Sequence, residues 1–133
     1  MKSTAMGTFE VTLEPQGPGD SSGGTTLGRM SIDKQFSGDL EGASRGEMLS
    51  AMTSVSGSAG YVAMERISGT LQGRSGSFVL HHKGTMDRGK QDASITVVPD
   101  SGTGELSGIT GTMTIRVEND RHHYDLDYTL PED

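Results

Sequence analysis

The sequence predicts an all-β protein: a closed, eight-stranded antiparallel meander β-barrel that takes up residues 1–133 as a single domain. Apolar and polar residues alternate over short segments, which is the period of strands buried on one face. The 20 glycines are spread along the chain, and each one inside a helix would cost about 1 kcal/mol, so long helices are disfavoured. Short turn motifs between the segments favour strands that pair in chain order.

Eight strands follow from this alternation. In the first, Phe9, Val11 and Leu13 share one face while polar residues share the other. A stretch rich in Pro, Gly and Ser, residues 15–24, is predicted to be a loop, and a short helical turn is expected just before Ser107. The predicted strands span residues 7–14, 26–36, 40–55, 59–71, 75–86, 91–98, 109–118 and 122–130.

Glycines within a weak repeat predict where the sheet bends. Residues 37–42 and 68–73 both fit S-G-x-L-x-G, and residues 107–111 carry a shortened copy. Glycine inside a strand often marks a bend, and bends at similar points of successive hairpins would curl the sheet onto itself. This favours a barrel over a sandwich. The alternative is coincidence in a chain rich in Gly, Ser and Thr.

Composition and charge exclude several classes of function. The net charge of −7 repels phosphate backbones, so we expect no nucleic-acid partner. Without cysteine the chain has neither disulfides nor a thiolate nucleophile. No apolar run approaches the roughly 20 residues of a membrane span, and no apolar leader segment follows Met1. We therefore expect a cytoplasmic protein with no membrane partner.

Four segments carry a resemblance that covers nearly the whole chain. They are residues 36–42, residues 57–86, residues 98–106 and residues 124–128. Together they resemble the bacterial proteins of the domain of unknown function 3224 family. The resemblance implies a barrel like that of allene oxide cyclase, or more broadly of the calycins, with a central cavity and a tendency to form homo-oligomers. It implies no established activity.

One acid and one histidine are candidate catalytic residues. The predicted strand 59–71 is apolar on both faces apart from Glu65 and Arg66, and its outer face would need a partner subunit or a loop as cover. His82 follows on the next strand and would lie across from Glu65 or Arg66, depending on the register. A Glu65–His82 pair inside a cavity would transfer protons. A structural ion pair and a hydrogen-bonded core histidine are the simpler alternatives.

Four further residues are candidate ligand contacts: Tyr61, Arg66, Tyr124 and Tyr128. The hydroxyl groups of Tyr124 and Tyr128 need partners if they point inward, so these side chains either contact a ligand or close the core. The histidines occur as adjacent pairs, 81–82 and 122–123. Neighbouring side chains on a strand point to opposite faces, so neither pair can chelate one ion, and we expect no metal and no other cofactor.

Three functions remain open at this point. An eight-stranded barrel has room for one small ligand, which favours the binding of a small, largely apolar molecule. By analogy of fold alone, the chain would be a cofactor-independent isomerase or cyclase that uses Glu65 and His82. Alternatively it is a non-catalytic structural protein that assembles into a homo-oligomer around a filled core. An internal pocket lined by Glu65 and His82 would favour the first two over the third.

Overall fold

The computed structural model describes residues 2–131, which form nine strands and one short 3-10 turn. No helix in this part of the chain is long and apolar enough to cross a membrane. The elements are β1 (Lys2–Pro15), β2 (Asp20–Ser22), β3 (Thr25–Gly38), β4 (Leu40–Met52), β5 (Ala59–Leu71), β6 (Arg74–Asp87), β7 (Lys90–Val97), the turn η1 (Gly104–Leu106), β8 (Thr110–Glu118) and β9 (Arg121–Thr129).

Pairing of β1 along both edges closes the sheet into a barrel. One edge pairs with β9, from Lys2 opposite Thr129 onward, and the other pairs with β3, up to Pro15 opposite Met30. Strands β3 to β8 each pair antiparallel with the next strand in the chain. The closed, eight-stranded antiparallel meander is therefore confirmed, whereas its assignment to the allene oxide cyclase subtype stays a prediction.

Two boundaries differ from the sequence prediction for related reasons. β1 begins at Lys2, five residues before the predicted start at residue 7. The prediction missed these residues because the inward positions Ser3, Ala5 and Gly7 are small and give no apolar signal. The prediction that residues 15–24 are all loop is wrong, since β2 lies within them and pairs with the start of β3. All three residues of β2 are exposed, so their sequence is polar and resembles a loop.

Three hairpins use two-residue turns that match the twist of the strands. Gln72 and Gly73 join β5 to β6 with φ values of 46° and 86°, as a type I′ turn requires. Glycine adopts this left-handed backbone without strain. The pairs Arg88-Gly89 and Asn119-Asp120 also have positive φ values, 49° and 90° and 51° and 62°, and join β6 to β7 and β8 to β9.

The two ends of the barrel are filled differently. At the end that holds the β5–β6 turn, the interior is closed by large apolar side chains and by η1. Leu106 of η1 is 1% exposed, and the backbone N–H of Thr103 donates to the carbonyl of Ser77 on β6 at 2.8 Å. The opposite end, with the β4–β5 and β6–β7 connections, is open. The buried side chains of the closed end include Leu40, Ile67, Leu71, Phe78, Leu106, Ile109, Leu126 and Tyr128.

A row of three glycines crosses neighbouring strands near the closed end. Gly42 on β4 is the register partner of Gly69 on β5, which in turn pairs with Gly76 on β6. A Cβ on Gly69 would collide with the carbonyl oxygen of Glu41, and one on Gly42 would collide with that of Ser68. The strands can approach this closely only because these positions have no side chain.

This close approach predicts a position-specific cost of adding one methyl group. We expect Gly69→Ala to lower the free energy of unfolding by about 1–3 kcal/mol, the usual cost of overpacking. Gly60→Ala on the same strand is the matched control, because the nearest atom to its Cβ is 3.8 Å away. Chemical denaturation of both variants measures the difference, and equal stabilities would contradict the role of the glycine row.

Candidate functional site

Glu65 is the centre of a buried charge network inside the barrel. Its side chain is fully buried in the middle of β5 and accepts hydrogen bonds from side chains on three other strands. Lys34 Nζ on β3 lies 3.1 Å from Glu65 Oε1, and His82 Nε2 on β6 lies 3.0 Å from the same oxygen. Ser44 Oγ on β4 donates to Glu65 Oε2 at 3.1 Å. We call these four residues the Glu65 network.

Alternation along each strand brings these side chains together. Lys34 lies between Ile32 and Phe36 on the inward face of β3, and all three are buried. Gly46 is the register partner of Glu65 on β4. A Cβ on Gly46 would collide with the carbonyl oxygen of Met64 and lie 2.8 Å from the Cβ of Glu65, so this glycine lets β4 approach β5 closely at Glu65.

Aromatic rings complete the surroundings of Lys34. Its Nζ lies 4.8 Å from the ring centroid of Phe9 and 5.9 Å from that of Phe36. The negative face of an aromatic ring attracts an ammonium group, most strongly where water is excluded. The ring of His122 stacks on the ring of Phe9, with 5.1 Å between their centroids. The lysine is therefore held by a carboxylate and two rings.

The network keeps Glu65 ionised. Burial alone would raise the pKa of its carboxyl group, but the hydrogen bonds and charges of His82 and Lys34 outweigh burial and hold that pKa below its ordinary value. His82 Nε2 must carry a proton, because an ionised carboxylate only accepts hydrogen bonds. Three donors occupy three of the roughly four acceptor sites of the carboxylate. The network is thus close to saturated.

The structure brings the two predicted catalytic residues into direct contact. The register partner of His82 is Ala63, not Glu65 or Arg66, and its ring reaches Glu65 diagonally, with Nε2 3.0 Å from Oε1. Their catalytic role stays a prediction. The three hydrogen bonds leave few acceptor sites on Glu65 that could take a proton from a substrate. Arg66 needs a correction: it is exposed on the outer face of β5, where Arg45 is its register partner. It points away from the interior because it directly follows the inward-facing Glu65.

Tyr124 and Tyr128 close the core at the packed end of the barrel. The Tyr124 hydroxyl accepts the backbone N–H of Leu40 at 2.9 Å and donates to the carbonyl of Ser37 at 3.0 Å. Burial is the main cause that raises the pKa of Tyr124. The hydroxyl of Tyr128 donates to Gln72 Oε1. Both hydroxyls form hydrogen bonds within the protein. Of the two alternatives for these side chains, contact with a ligand or closure of the core, this arrangement favours closure of the core.

Tyr61 lies at a cavity in the open end of the barrel. The cavity has a volume of about 270 Å3 and is partly open to solvent. The Tyr61 ring lies across Gly84, where a Cβ would come within 2.5 Å of Tyr61 Cε1, and burial raises the pKa of Tyr61. Glu65 and His82 are not among the residues that line this cavity. Its lining includes Met48, Ser50, Met52, Ala59, Tyr61, Met86, Gln91 and Ala93.

The barrel wall is weakest beside this cavity. Among the described residues, β7 and β8 pair only at Ile95–Met113 and Thr96–Thr112. By contrast, β7 pairs with β6 along its whole length, from Lys90 to Val97. The start of β7, which carries the cavity residues Gln91 and Ala93, therefore has one unpaired edge. We call this break in the wall the β7–β8 seam.

The outer face of β5 is exposed in this chain. Val62 and Met64 are 48% and 53% exposed, and on the neighbouring β4 Leu49 is 55% exposed. A partner subunit or a loop was predicted to cover this face. No loop among residues 2–131 does so. A partner subunit, and with it a homo-oligomer, stays a prediction.

Lys34 and the role of Ser44 were not predicted from the sequence. Lys34 is in phase with Ile32 and Phe36, two apolar residues on one face, and this alternation was the available signal. Ser44 had no comparable signal, since it is a small residue in a strand rich in small residues. Among residues 2–131, no three His, Asp or Glu side chains are grouped so that they could hold a metal ion.

Comparison with known proteins agrees with this geometry. DUF3224, a protein family of unknown function, matches residues 5–128. The chain belongs to the DUF3224 family. It is also similar to a crystal structure of a DUF3224 protein of unknown function from Shewanella oneidensis MR-1, with 48% sequence identity, full coverage of both chains and a TM-score of 0.95. Among curated proteins no match is found. The resemblance read from the sequence is therefore confirmed.

The ionised state of Glu65 predicts how stability depends on pH. We expect Glu65→Gln to lower the free energy of unfolding at pH 7 by about 3–5 kcal/mol, because it leaves Lys34 buried without its counter-charge. The folded pKa of Glu65 lies below its ordinary value of 4.5, so its contribution is complete above that value and is lost as the pH falls through the folded pKa. The difference between wild type and variant should therefore shrink in acid.

Urea denaturation of both proteins between pH 3 and pH 7 measures this difference. Glu47→Gln is the control, because Glu47 is on the neighbouring strand β4 with its side chain 64% exposed. Its effect should stay within about 0.5 kcal/mol at every pH. A difference for Glu65→Gln that does not change with pH would show that folding leaves the pKa of Glu65 unshifted, and a difference that grows as the pH falls would show that its folded carboxyl group is neutral.

Proposed function

We propose that this DUF3224 barrel binds one small, largely apolar molecule in the cavity at its open end. The observation that carries the proposal is the lining of this cavity, which has a volume of about 270 Å3. Three methionines, two alanines and a tyrosine supply its apolar surface, while Ser50 and Gln91 supply a few polar groups. Apolar walls with a small number of polar anchors are typical of small-molecule sites.

The size of the cavity limits the ligand. Pockets for drug-sized ligands usually measure about 300–1,000 Å3, so a cavity slightly below that range suits a compact molecule of one or two rings or a short chain. The cavity opens toward solvent and adjoins the β7–β8 seam. A ligand can therefore enter without unfolding the packed end.

Glu65 and His82 do not line the cavity, so in this proposal the Glu65 network has a structural role. Along β5, the inward residues run from Tyr61 at the cavity through Ala63 to Glu65 in the middle of the barrel. The carboxylate of Glu65 is buried and engaged by Lys34, His82 and Ser44. Its contribution in this proposal is to hold four strands in fixed positions below the cavity, since satisfied buried polar networks make a structure rigid.

Binding at this cavity can be measured with indole as the probe. The chain has no tryptophan, so light that excites indole selectively reports on the probe and not on the protein. We expect a saturable blue shift of indole fluorescence as indole enters the apolar cavity. Ala93→Phe should weaken binding at least tenfold, because its ring fills space in the cavity.

Ala43→Phe is the matched control, since Ala43 is exposed on the outer face of β4. It adds the same ring outside the barrel and should leave the indole affinity unchanged. Thermal unfolding of both variants checks that each is folded. The proposal fails if indole shows no saturable shift, or if the two variants weaken it equally.

A further inference from the structure

We infer that the ligand of the open-end cavity is a planar aromatic molecule, held between the thioethers of Met52 and Met86 and beside the ring of Tyr61. This inference rests on the proposed function and narrows its ligand class. Three features of the structure carry it: the separation of residue types between the two ends, the spacing of the two methionines, and the position of Tyr61.

The apolar residues that line the cavity differ in type from those that fill the closed end. The closed end is filled by leucine, isoleucine and phenylalanine, such as Leu40, Ile67 and Phe78. The open-end cavity is instead lined by Met48, Met52 and Met86, and no leucine, isoleucine or phenylalanine lines it. Both sets provide apolar area, and thioether sulfur adds a favourable contact with aromatic rings that leucine and isoleucine lack. The side chains that recognise an aromatic ligand are thus gathered where a ligand can reach them.

The spacing of two methionines fits one ring. Ala59 on β5 is the register partner of Met52 on β4 and of Met86 on β6, so the three form a row across the wall. Neighbouring strands lie about 4.8 Å apart, which separates the two methionine backbones by roughly 9–10 Å. A sulfur prefers to lie about 5 Å from an aromatic ring. One flat ring above the small Ala59 would therefore have a thioether at the preferred distance on each side.

Tyr61 and Gln91 hold the walls of this slot in place. The Tyr61 ring packs across Gly84, which has no side chain to push it away from the wall. Its exposed side lines the cavity and is available to a second aromatic ring. Gln91 Nε2 contacts Met86 Sδ at 3.8 Å, and this weak hydrogen bond restricts the orientation of one thioether. The slot is thus partly organised before the ligand binds.

Phenol and cyclohexanol test the inference, because they share size and hydroxyl group and differ in aromaticity. Each competes with bound indole in the fluorescence measurement described above. We expect phenol to displace indole at a concentration at least fivefold lower than cyclohexanol does. In the double variant Met52→Leu/Met86→Leu this preference should fall below twofold, since leucine keeps the apolar volume and removes the sulfur.

The control is Met6→Leu/Met64→Leu, which removes two thioethers that are 50% and 53% exposed and do not line the cavity. It should keep the full preference for phenol. Equal competition by phenol and cyclohexanol, with indole still binding, would overturn the inference and leave the proposed function standing. A preference that survives in Met52→Leu/Met86→Leu would overturn the role of the thioethers. Failure of indole itself to bind would instead reject the proposed function.

Discussion

The hydrogen bonds along both edges of β1 turn a flat meander into a ring, and the interior depends on them. The first part of β1 pairs with β9 and the second part with β3, so the two ends of the sheet meet on one strand. Once the ring is closed, alternation sends every second side chain into a shared interior. Lys34, Glu65 and His82 come from three strands and meet only because these strands curve around a common axis.

The interior of the barrel is divided into two unlike halves by the Glu65 network. On one side lie closely packed leucine, isoleucine and phenylalanine side chains, together with the hydroxyls of Tyr124 and Tyr128 that cap them. On the other side lies the methionine-lined cavity. Removing charges from water is costly unless every group is paired, and here each partner is supplied by a different strand. One half can therefore be rigid while the other stays accessible.

Much of the fold could be predicted from the sequence, because period-2 alternation and turn residues are local signals. The predicted strand 59–71 coincides with β5, and the two-residue turns at Gln72-Gly73 and Asn119-Asp120 lie where they were expected. The short strand β2 could not be predicted in this way. It is fully exposed, so no apolar residue marks it, and only its pairing with β3 makes it a strand.

The site was harder to predict, because alternation gives the face of a residue but not its level in the barrel. The sequence left open which faces of the strands that carry Glu65 and His82 point inward, and whether the two side chains meet depends on the register between β5 and β6. Lys34 reaches Glu65 across the intervening strand β4, a contact that the tilt and closure of the sheet decide. The cavity at Tyr61 likewise depends on Gly84, whose missing side chain is visible in the sequence but whose neighbour is not.

The β7–β8 seam has a mechanical consequence for the whole cylinder. A ring of strands that is fully laddered resists any change in its diameter, because widening it must break a row of hydrogen bonds somewhere. Here the start of β7 and the end of β8 are already apart within the described part of the chain. A force that widens the rim would therefore separate β7 from β8 at the β7–β8 seam, where few hydrogen bonds have to break. Widening of the rim beside Gln91 and Ala93 would therefore leave the hydrogen bonds of the other strands intact.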